Sequence, residues 1–312
     1  MPRYRFFQPQ QAAQLRRLEL TVRGVVEGVF AGLHKSPHKG FSIEFAEHRE
    51  YVPGDEIKHL DWTVLARTDR YYIKQYEQET NLRATICLDA SGSMGFGKSD
   101  AKKSKSHSPS PEGVSKFEYA AVLAASLAYM LSGQQDLVGL TVFDTDMRVE
   151  IPQGNGAGHL DQIFKQLEKI SPGRETDVAK TLHTLASKVP RRGLVILLSD
   201  LLDDPDKILL ALQHLRHARH QMIVLQILDR TEIDLTGAAI GGGRPVTFED
   251  MEDNQRLQID PKLIRDDYRR EMQAFLEQIK NRCGQFHIDH LLCLTDVPWD
   301  QQIREILRRV TT

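Results

Sequence analysis

Apolar stretches of strand length alternate with segments of helical periodicity along most of this chain, and this alternation constrains the fold more than any other feature. The strand-length stretches are residues 82–88, 137–143, 194–198, 222–228 and 286–294. Strands that alternate with helices form a mostly parallel sheet covered by helices on both faces. We therefore predict a doubly wound α/β domain over residues 81–312, with its ligand site at the carboxyl ends of the strands.

The starts of two helices are marked in the sequence. Ser115 and Glu118 have the spacing of a capping box, in which each side chain hydrogen-bonds the other residue's backbone. Asp260 followed by Pro261 combines an N-cap acceptor with the residue favoured at the first helical position. The sequence therefore predicts helices that begin next to Ser115 and at Pro261.

The first 80 residues differ from the rest of the chain. Residues 11–30 have helical periodicity, whereas residues 40–80 are rich in charged and aromatic side chains and predict irregular structure with short strands. No Gly/Ser/Pro-rich linker lies between residues 76 and 82. We therefore expect a smaller, β-rich N-terminal segment over residues 1–80 that packs with the α/β domain as one cooperative unit.

Charge and cysteine content exclude several classes of protein. Lys and Arg number 41 against 43 Asp and Glu, so no net field attracts nucleic acid or an anionic membrane. The three cysteines are too scattered for a disulfide framework or a Cys-x-x-Cys metal site. The N-terminus lacks the apolar core of a signal peptide, and no apolar run approaches the length of a membrane span. We expect a cytoplasmic protein without a membrane span or a nucleic-acid partner.

An Asp-x-Ser-x-Ser pattern, Asp89, Ser91 and Ser93, directly follows the first core strand. One carboxylate and two hydroxyls on a tight turn supply the hard oxygen ligands that Mg²⁺ prefers. Thr176 follows a Pro-Gly pair, and Asp200 ends another strand, so both are expected at the same edge of the sheet. Each motif also has a structural explanation, as a polar turn, a helix cap or an Asx turn.

Together, these motifs resemble the metal-ion-dependent adhesion site of von Willebrand factor A domains, over roughly residues 81–312. Upstream, residues 40–67 contain in order Tyr51-x-Pro53-Gly54-Asp55, Asp61-Trp62 and Ala66-Arg67. This stretch is similar to the signature of a bacterial family, the domain of unknown function numbered fifty-eight, whose members join such a segment to an A-type domain. A Lys/Ser/Pro-rich loop over residues 97–114 departs from the A-domain pattern and is expected to be a solvated tether.

The resemblance implies a binding function without catalysis. Members of the family are commonly encoded beside MoxR-type AAA+ ATPases and are thought to act with them in maturing client proteins. For this chain, the resemblance implies that Ser91, Ser93 and Thr176 offer hydroxyls to Mg²⁺ or Mn²⁺ and that Asp89 and Asp200 hold the ion directly or through water. An acidic side chain of a protein partner would complete the shell. We therefore expect an adaptor that binds proteins through a divalent metal, and not an enzyme.

An ATPase is the alternative. Residues 92–99 match the phosphate-binding pattern G-x-x-x-x-G-K-[ST], and Asp200 could hold Mg²⁺ in such a site. That mechanism needs a helix that begins at Lys98 and Ser99, because its N-terminal amides must face the phosphates. Here the helical pattern begins only at Ser115, which favours the binding module.

Two further groups of polar residues are predicted to be structural. His214, His217 and His220 recur at three-residue steps, so they drift around a helix and indicate a solvated basic surface and not a zinc site. The charged residues of segment 40–67 could form a partner-binding surface or an internal ion-pair network around Trp62, and the network is favoured because packed polar groups need partners. They are Glu44, Arg49, Asp55, Asp61 and Arg67.

Overall fold

The computed structural model describes twelve stretches of the chain. They are residues 4–7, 11–12, 44–52, 60–77, 82–97, 114–173, 178–188, 193–217, 220–235, 246–249, 256–259 and 261–310. Most of the helix predicted over residues 11–30 and most of the lysine-rich loop over residues 97–114 lie outside them. The chain divides into two compact units, of which the larger combines Met1–Val29 with Arg83–Thr312 and the smaller is Phe30–Leu82.

The smaller unit contains a pair of antiparallel strands. Strand β1 (Glu44–Glu50) pairs with strand β2 (Tyr72–Glu77). The register shifts between Phe45 and Glu47, as it does at a β-bulge. The prediction of short strands in this segment is confirmed.

A short helix that the sequence did not predict lies between these strands in the chain. Helix α1 (Trp62–Thr68) begins after Asp61, whose Oδ1 accepts hydrogen bonds from the backbone N–H groups of Thr63 at 2.9 Å and Val64 at 3.2 Å. The Asp61-Trp62 pair therefore marks a capped helix. The Trp62 side chain is 62% exposed, so it does not lie at the centre of an internal network. Asp55 lies outside the described residues, so the predicted ion pairs of this segment stay a prediction.

The larger unit is built on a six-stranded sheet. Its strands are β3 (Arg83–Asp89), β4 (Leu137–Phe143), β5 (Met147–Gly154), β6 (Leu194–Ser199), β7 (Gln221–Leu228) and β10 (Asp289–Leu294). They are arranged in the order β10-β7-β6-β3-β4-β5, and each neighbouring pair is parallel except β4 and β5. A separate antiparallel pair joins β8 (Val246–Glu249) to β9 (Arg256–Ile259). The prediction of a mostly parallel α/β sheet is confirmed.

Helices surround the sheet, and the two predicted helix starts are found. The helices are α2 (Lys116–Gly133), α3 (Ala157–Lys169), α4 (Val178–Lys188), α5 (Pro205–His217), α6 (Arg230–Asp234), α7 (Pro261–Gln285) and α8 (Trp299–Val310). The capping box at the start of α2 is complete. In the described part of the chain, none of the helices combines the length and the apolar character that a membrane span requires.

The connections of β3 and β6 create a crevice at the centre of the sheet. These strands are neighbours, but the chain leaves β3 through α2 towards β4 on one side and leaves β6 through α5 towards β7 on the other. Adjacent strands whose connections diverge form a topological switch point, where open α/β sheets bind ligands outside the carboxyl ends. Asp89 ends β3 and Ser199 ends β6, so both lie at this point.

Helix α2 is buried on nearly all sides. Fourteen of its 18 residues are buried, and alanines allow it to pack closely on the sheet. Its first residue is Lys116, whose side chain has no exposed surface. Because a buried ammonium without partners would be costly, Lys116 requires acceptors inside the protein.

Candidate metal site

Asp89, Ser91 and Ser93 lie together on the turn that follows β3. Asp89 and Ser91 are fully buried, whereas Ser93 is partly exposed. The Ser91 backbone N–H donates a hydrogen bond to Asp89 Oδ1 at 2.9 Å, and the Ser91 and Ser93 hydroxyl oxygens are 3.0 Å apart. The turn therefore brings one carboxylate and two hydroxyls into one small region.

The spacing of the two hydroxyls suits a small divalent cation. In an octahedral Mg²⁺ site with bonds of about 2.1 Å, neighbouring ligand atoms lie about 3.0 Å apart. The distance between Ser91 Oγ and Ser93 Oγ has this value, which is also the length of the hydrogen bond that the two hydroxyls form with each other. Oxygen donors are also the ligand type that Mg²⁺ and Mn²⁺ favour. These residues therefore fit the group that the sequence predicts.

Ser199 joins the ends of β3 and β6. Its hydroxyl donates a hydrogen bond to Asp89 Oδ2 at 2.6 Å and accepts one from the Leu201 backbone N–H at 3.0 Å. Leu201 has a φ of 55°, a left-handed conformation that is uncommon for a residue other than glycine. This backbone turn and the Ser199 bond fix the orientation of the Asp89 carboxylate beside the next strand.

Asp200 lies at the same sheet edge and is held from three sides. Its Oδ1 accepts a hydrogen bond from the Leu202 backbone N–H at 3.1 Å, and its Oδ2 accepts one from Lys116 Nζ at 2.8 Å. The Gln226 side-chain amide on β7 donates to its backbone oxygen at 3.0 Å. Both carboxylate oxygens of Asp200 are therefore already engaged by the protein.

Lys116 bridges Asp200 to a third acidic residue, Glu232. Its Nζ is 2.6 Å from Glu232 Oε1, and it lies 5.7 Å from the centre of the Phe96 ring, within the range of a cation–π interaction. The other Glu232 oxygen accepts a hydrogen bond from the Asp229 backbone N–H at 2.9 Å, which completes the capping box of α6. Lys116 thus connects the start of α2 to the end of β6 and to helix α6, which follows β7.

Burial dominates the electrostatics of this cluster. Burial, followed by the charge of Asp200, raises the pKa of Asp89 to about 7, although hydrogen bonds from Ser199 and Ser91 act against the shift. Burial alone would lower the pKa of Lys116, but the charges of Asp200 and Glu232 outweigh it and the pKa is raised. Burial also raises the pKa of Glu232, despite the opposing effect of Lys116. Lys116 pairs with both Asp200 and Glu232, whereas Asp89 is hydrogen-bonded by Ser199 and the Ser91 backbone, so one ammonium balances only part of the acidic groups gathered here.

Thr176 lies outside the described residues. Gly173, three positions earlier, donates a backbone hydrogen bond to the Ala90 carbonyl at 2.6 Å, so the described chain reaches the turn after β3 at this point. A Cβ atom at residue 173 would lie 2.8 Å from Asp144 Oδ2, so a larger residue here would displace the Asp144 side chain. The prediction that Thr176 belongs to the site stays a prediction.

Sequence reasoning missed three contributors: Ser199, Lys116 and Glu232. Lys116 directly follows the capping residue Ser115, and a lysine that opens an otherwise apolar helix is itself a signal. The Asp229-x-x-Glu232 spacing of a capping box could have marked the start of α6, but the contact of Glu232 with Lys116 spans 116 positions and has no local signal.

The histidines differ in part from the expected solvated surface: His214 and His217 are exposed, but His220 lies beyond the end of α5 and is fully buried. His214 Nδ1 on α5 lies 3.1 Å from His183 Nδ1 on α4, a pairing that sequence spacing could not reveal. Among the described residues, no group of three or more histidine, cysteine, aspartate or glutamate side chains is arranged to hold a metal ion. The candidate site at Asp89 is instead rich in hydroxyls.

Comparison with known proteins places the chain in a family. The family described as "Protein of unknown function DUF58" matches residues 47–277. The chain belongs to this family. Uncharacterized proteins of Mycobacterium tuberculosis and Mycobacterium bovis are each 26% identical to this DUF58 protein over 309 residues, which cover 97% of this chain and 90% of the relative.

Two solved structures resemble the larger part of this DUF58 protein. The conserved hypothetical protein BatB from Bacteroides thetaiotaomicron has a TM-score of 0.45 and 16% identity, over 74% of this chain and 98% of that one. An aerotolerance-related membrane protein from Bacteroides fragilis has a TM-score of 0.44 and 17% identity, with the same coverage.

Proposed function

We propose that this DUF58 protein is a non-catalytic protein-binding module that depends on a divalent metal. Its metal-ion-dependent adhesion site would be of the von Willebrand factor A type. The observation that carries the proposal is the pair of serine hydroxyls, 3.0 Å apart, beside a buried aspartate at the switch point of the sheet. The excess of carboxylates around this turn supports the same assignment.

The proposed roles follow from the contacts of each residue. Ser91 and Ser93 would hold Mg²⁺ or Mn²⁺ through their hydroxyl oxygens, together with Thr176. Asp89, which Ser199 and the Ser91 backbone hold in place, and Asp200 would offer their carboxylates directly or through water. The bound ion would supply positive charge at the partly exposed end of the turn, where it attracts a carboxylate from a protein partner.

The partner class is proposed from the family resemblance. A MoxR-type AAA+ ATPase, or a client protein that it matures, would supply the acidic ligand, and the complex would act in the cytoplasm. If the metal bridges the two proteins, the complex should form in Mg²⁺ and dissociate in EDTA. Size-exclusion chromatography of the full chain with such an ATPase tests this, and a complex that is equally stable in EDTA would contradict a metal bridge.

Calorimetric titration with Mg²⁺ and Mn²⁺ tests the metal site itself. Asp89→Ala and Ser93→Ala should each abolish metal binding. Ser93→Ala removes a hydroxyl ligand, and Asp89→Ala removes a carboxylate that holds the ion directly or through water. Ser171→Ala is a matched control, since Ser171 is exposed and outside the proposed ligand set. Unchanged affinity in both Asp89→Ala and Ser93→Ala would remove the adhesion-site assignment.

The alternative, a nucleotide-binding ATPase that uses residues 92–99, has less support. A phosphate-binding loop requires a helix that begins at its Lys-Ser pair. The helix described after β3 begins at Lys116, and Lys98 and Ser99 lie outside the described residues. The excess of carboxylates near this turn would also repel phosphates.

A further inference from the structure

Lys116 occupies an acceptor that the proposed metal site would need. Asp200 Oδ2 accepts from Lys116 Nζ at 2.8 Å, while Asp200 Oδ1 accepts from the Leu202 backbone. A divalent cation that used Asp200 would therefore meet an ammonium already bound to the same carboxylate. Two cations on one buried carboxylate repel each other strongly, because the surrounding dielectric is low.

The position of Lys116 gives its ammonium a second acceptor but no route to solvent. Its backbone N–H donates to the Phe96 carbonyl at 2.9 Å, and the capping box fixes the start of α2. Its Nζ already contacts Glu232 Oε1 at 2.6 Å. The ammonium can therefore give up Asp200 and remain paired with Glu232, without a large movement of the helix.

We propose that Lys116 is an internal counter-ion that competes with a divalent cation for Asp200 and is retained by Glu232 when Asp200 is released. The inference rests on the proposed metal-dependent function and concerns the regulation of that site. Lys116 makes the isolated chain bind metal weakly, because Asp200 is already neutralised. A partner's carboxylate then supplies the missing negative charge, so tight metal binding coincides with partner binding.

Two variants separate this competition from a simple change in charge. Lys116→Met with Glu232→Gln removes one positive and one negative charge, so the net charge of the cluster is unchanged while Asp200 becomes available. Among the described residues, Glu232→Gln alone leaves Lys116 with Asp200 as its salt-bridge partner. The first variant should bind metal more tightly than the wild type, and the second more weakly.

The experiment measures Mn²⁺ binding to the full chain by the electron paramagnetic resonance signal of the free ion, with Mg²⁺ calorimetry alongside. The double variant removes the buried Lys116 ammonium from the Asp200 carboxylate. It should therefore bind Mn²⁺ at least about tenfold more tightly than the wild type. Lys188→Met, which removes an exposed lysine paired with Glu150, should leave the affinity unchanged. Thermal unfolding checks that each variant is folded.

The outcomes distinguish failure of this inference from failure of the proposed function. Equal affinity in the double variant and the wild type, with binding lost in Ser93→Ala, would overturn the role of Lys116 and leave the metal site standing. If neither the wild type nor any variant binds Mn²⁺, the proposed function falls and this inference falls with it. If the double variant does not fold, the ¹⁵N resonance of the Lys116 ammonium in the wild type is measured instead. It should shift when the protein is saturated with Mg²⁺, and an unchanged resonance would overturn the proposal that Lys116 competes with the metal for Asp200.

Discussion

Lys116 Nζ lies 2.8 Å from Asp200 Oδ2, and the two side chains are only 0% and 1% exposed. This buried pair joins the first residue of α2 to the residue that follows β6. Buried ion pairs often add little stability over apolar replacements, but removal of one partner leaves the other charge unsatisfied. The pair therefore makes the geometry of the candidate site and the stability of the larger unit interdependent.

The first prediction concerns this stability. Lys116→Met should lower the free energy of unfolding by about 3–5 kcal/mol, because it leaves buried Asp200 and Glu232 without their counter-ion. Urea denaturation of the full chain measures the loss. Adding Glu232→Gln should recover part of it, since one of the two orphaned carboxylates is then neutral.

Lys188→Met provides the matched control for this experiment. Lys188 and Glu150 are about half exposed and 3.5 Å apart, and such surface pairs contribute little to stability. If Lys116→Met and Lys188→Met changed the urea midpoint equally, the buried pair would not have the structural role assigned to it.

The parts of the site that sequence predicted are those with local patterns. Asp89, Ser91 and Ser93 lie within five consecutive positions after an apolar strand, so spacing and strand order were enough to place them. The contacts of Lys116 with Asp200 and Glu232 span 84 and 116 positions, and no local pattern encodes them. They follow only from the packing of α2 against the sheet.

The same reasoning explains why β5 escaped prediction. This strand pairs only with β4 at the antiparallel edge of the sheet, and most of its residues are partly or fully exposed. It therefore lacks the continuous apolar run of the central strands, and Pro152 within it is tolerated because an edge strand has one unpaired side. The central strands β3, β6 and β7 were predicted because burial on both faces imposes a continuous apolar stretch on them.

The second prediction separates the two classes of function through Lys98. In a phosphate-binding loop this lysine would reach the β- and γ-phosphates, so Lys98→Ala would eliminate ATP binding. We expect the wild-type chain to show no such binding in a titration with fluorescent ATP. Micromolar binding that disappears in Lys98→Ala, but not in Lys188→Ala, would instead support the ATPase.

The third prediction concerns the dependence of stability on pH. His220 is fully buried, and burial lowers its pKa. Below pH about 6.5 the unfolded chain therefore takes up a proton that folded His220 resists, and the folded state loses stability. His220→Gln lacks this contribution, so its free energy of unfolding should fall less between pH 8 and pH 5.5 than that of the wild type.

Urea denaturation at the two pH values tests the role of His220. His217→Gln is the control, because His217 lies on the adjoining helix α5 with its side chain exposed. It should retain the pH dependence of the wild type. A His220→Gln variant with the same pH dependence as the wild type would show that this histidine does not contribute.

The fourth prediction is that the two units unfold together. The chain has two tryptophans, of which Trp62 belongs to the smaller unit and Trp299 to the larger. Trp62→Phe and Trp299→Phe therefore give single-tryptophan reporters for each unit. Their fluorescence transitions on heating should coincide with each other and with far-UV circular dichroism, as two-state unfolding requires. Two well-separated transitions would show independent folding.

The last prediction concerns the N-terminal aromatic residues of the larger unit. Phe7 is 4% exposed, and its ring centre lies 4.9 Å from that of Tyr129 on α2 and 4.7 Å from that of Phe164 on α3. Phe7→Ala should therefore lower the free energy of unfolding, measured by urea denaturation, by about 3–5 kcal/mol, because it opens a cavity among packed rings.

A fragment of residues 81–312 lacks Phe7 altogether and should be less soluble, since it exposes the same apolar surface. Arg5→Ala, which alters an exposed side chain two positions away, should change stability little. A soluble 81–312 fragment, with Phe7→Ala no less stable than Arg5→Ala, would show that this contact is dispensable.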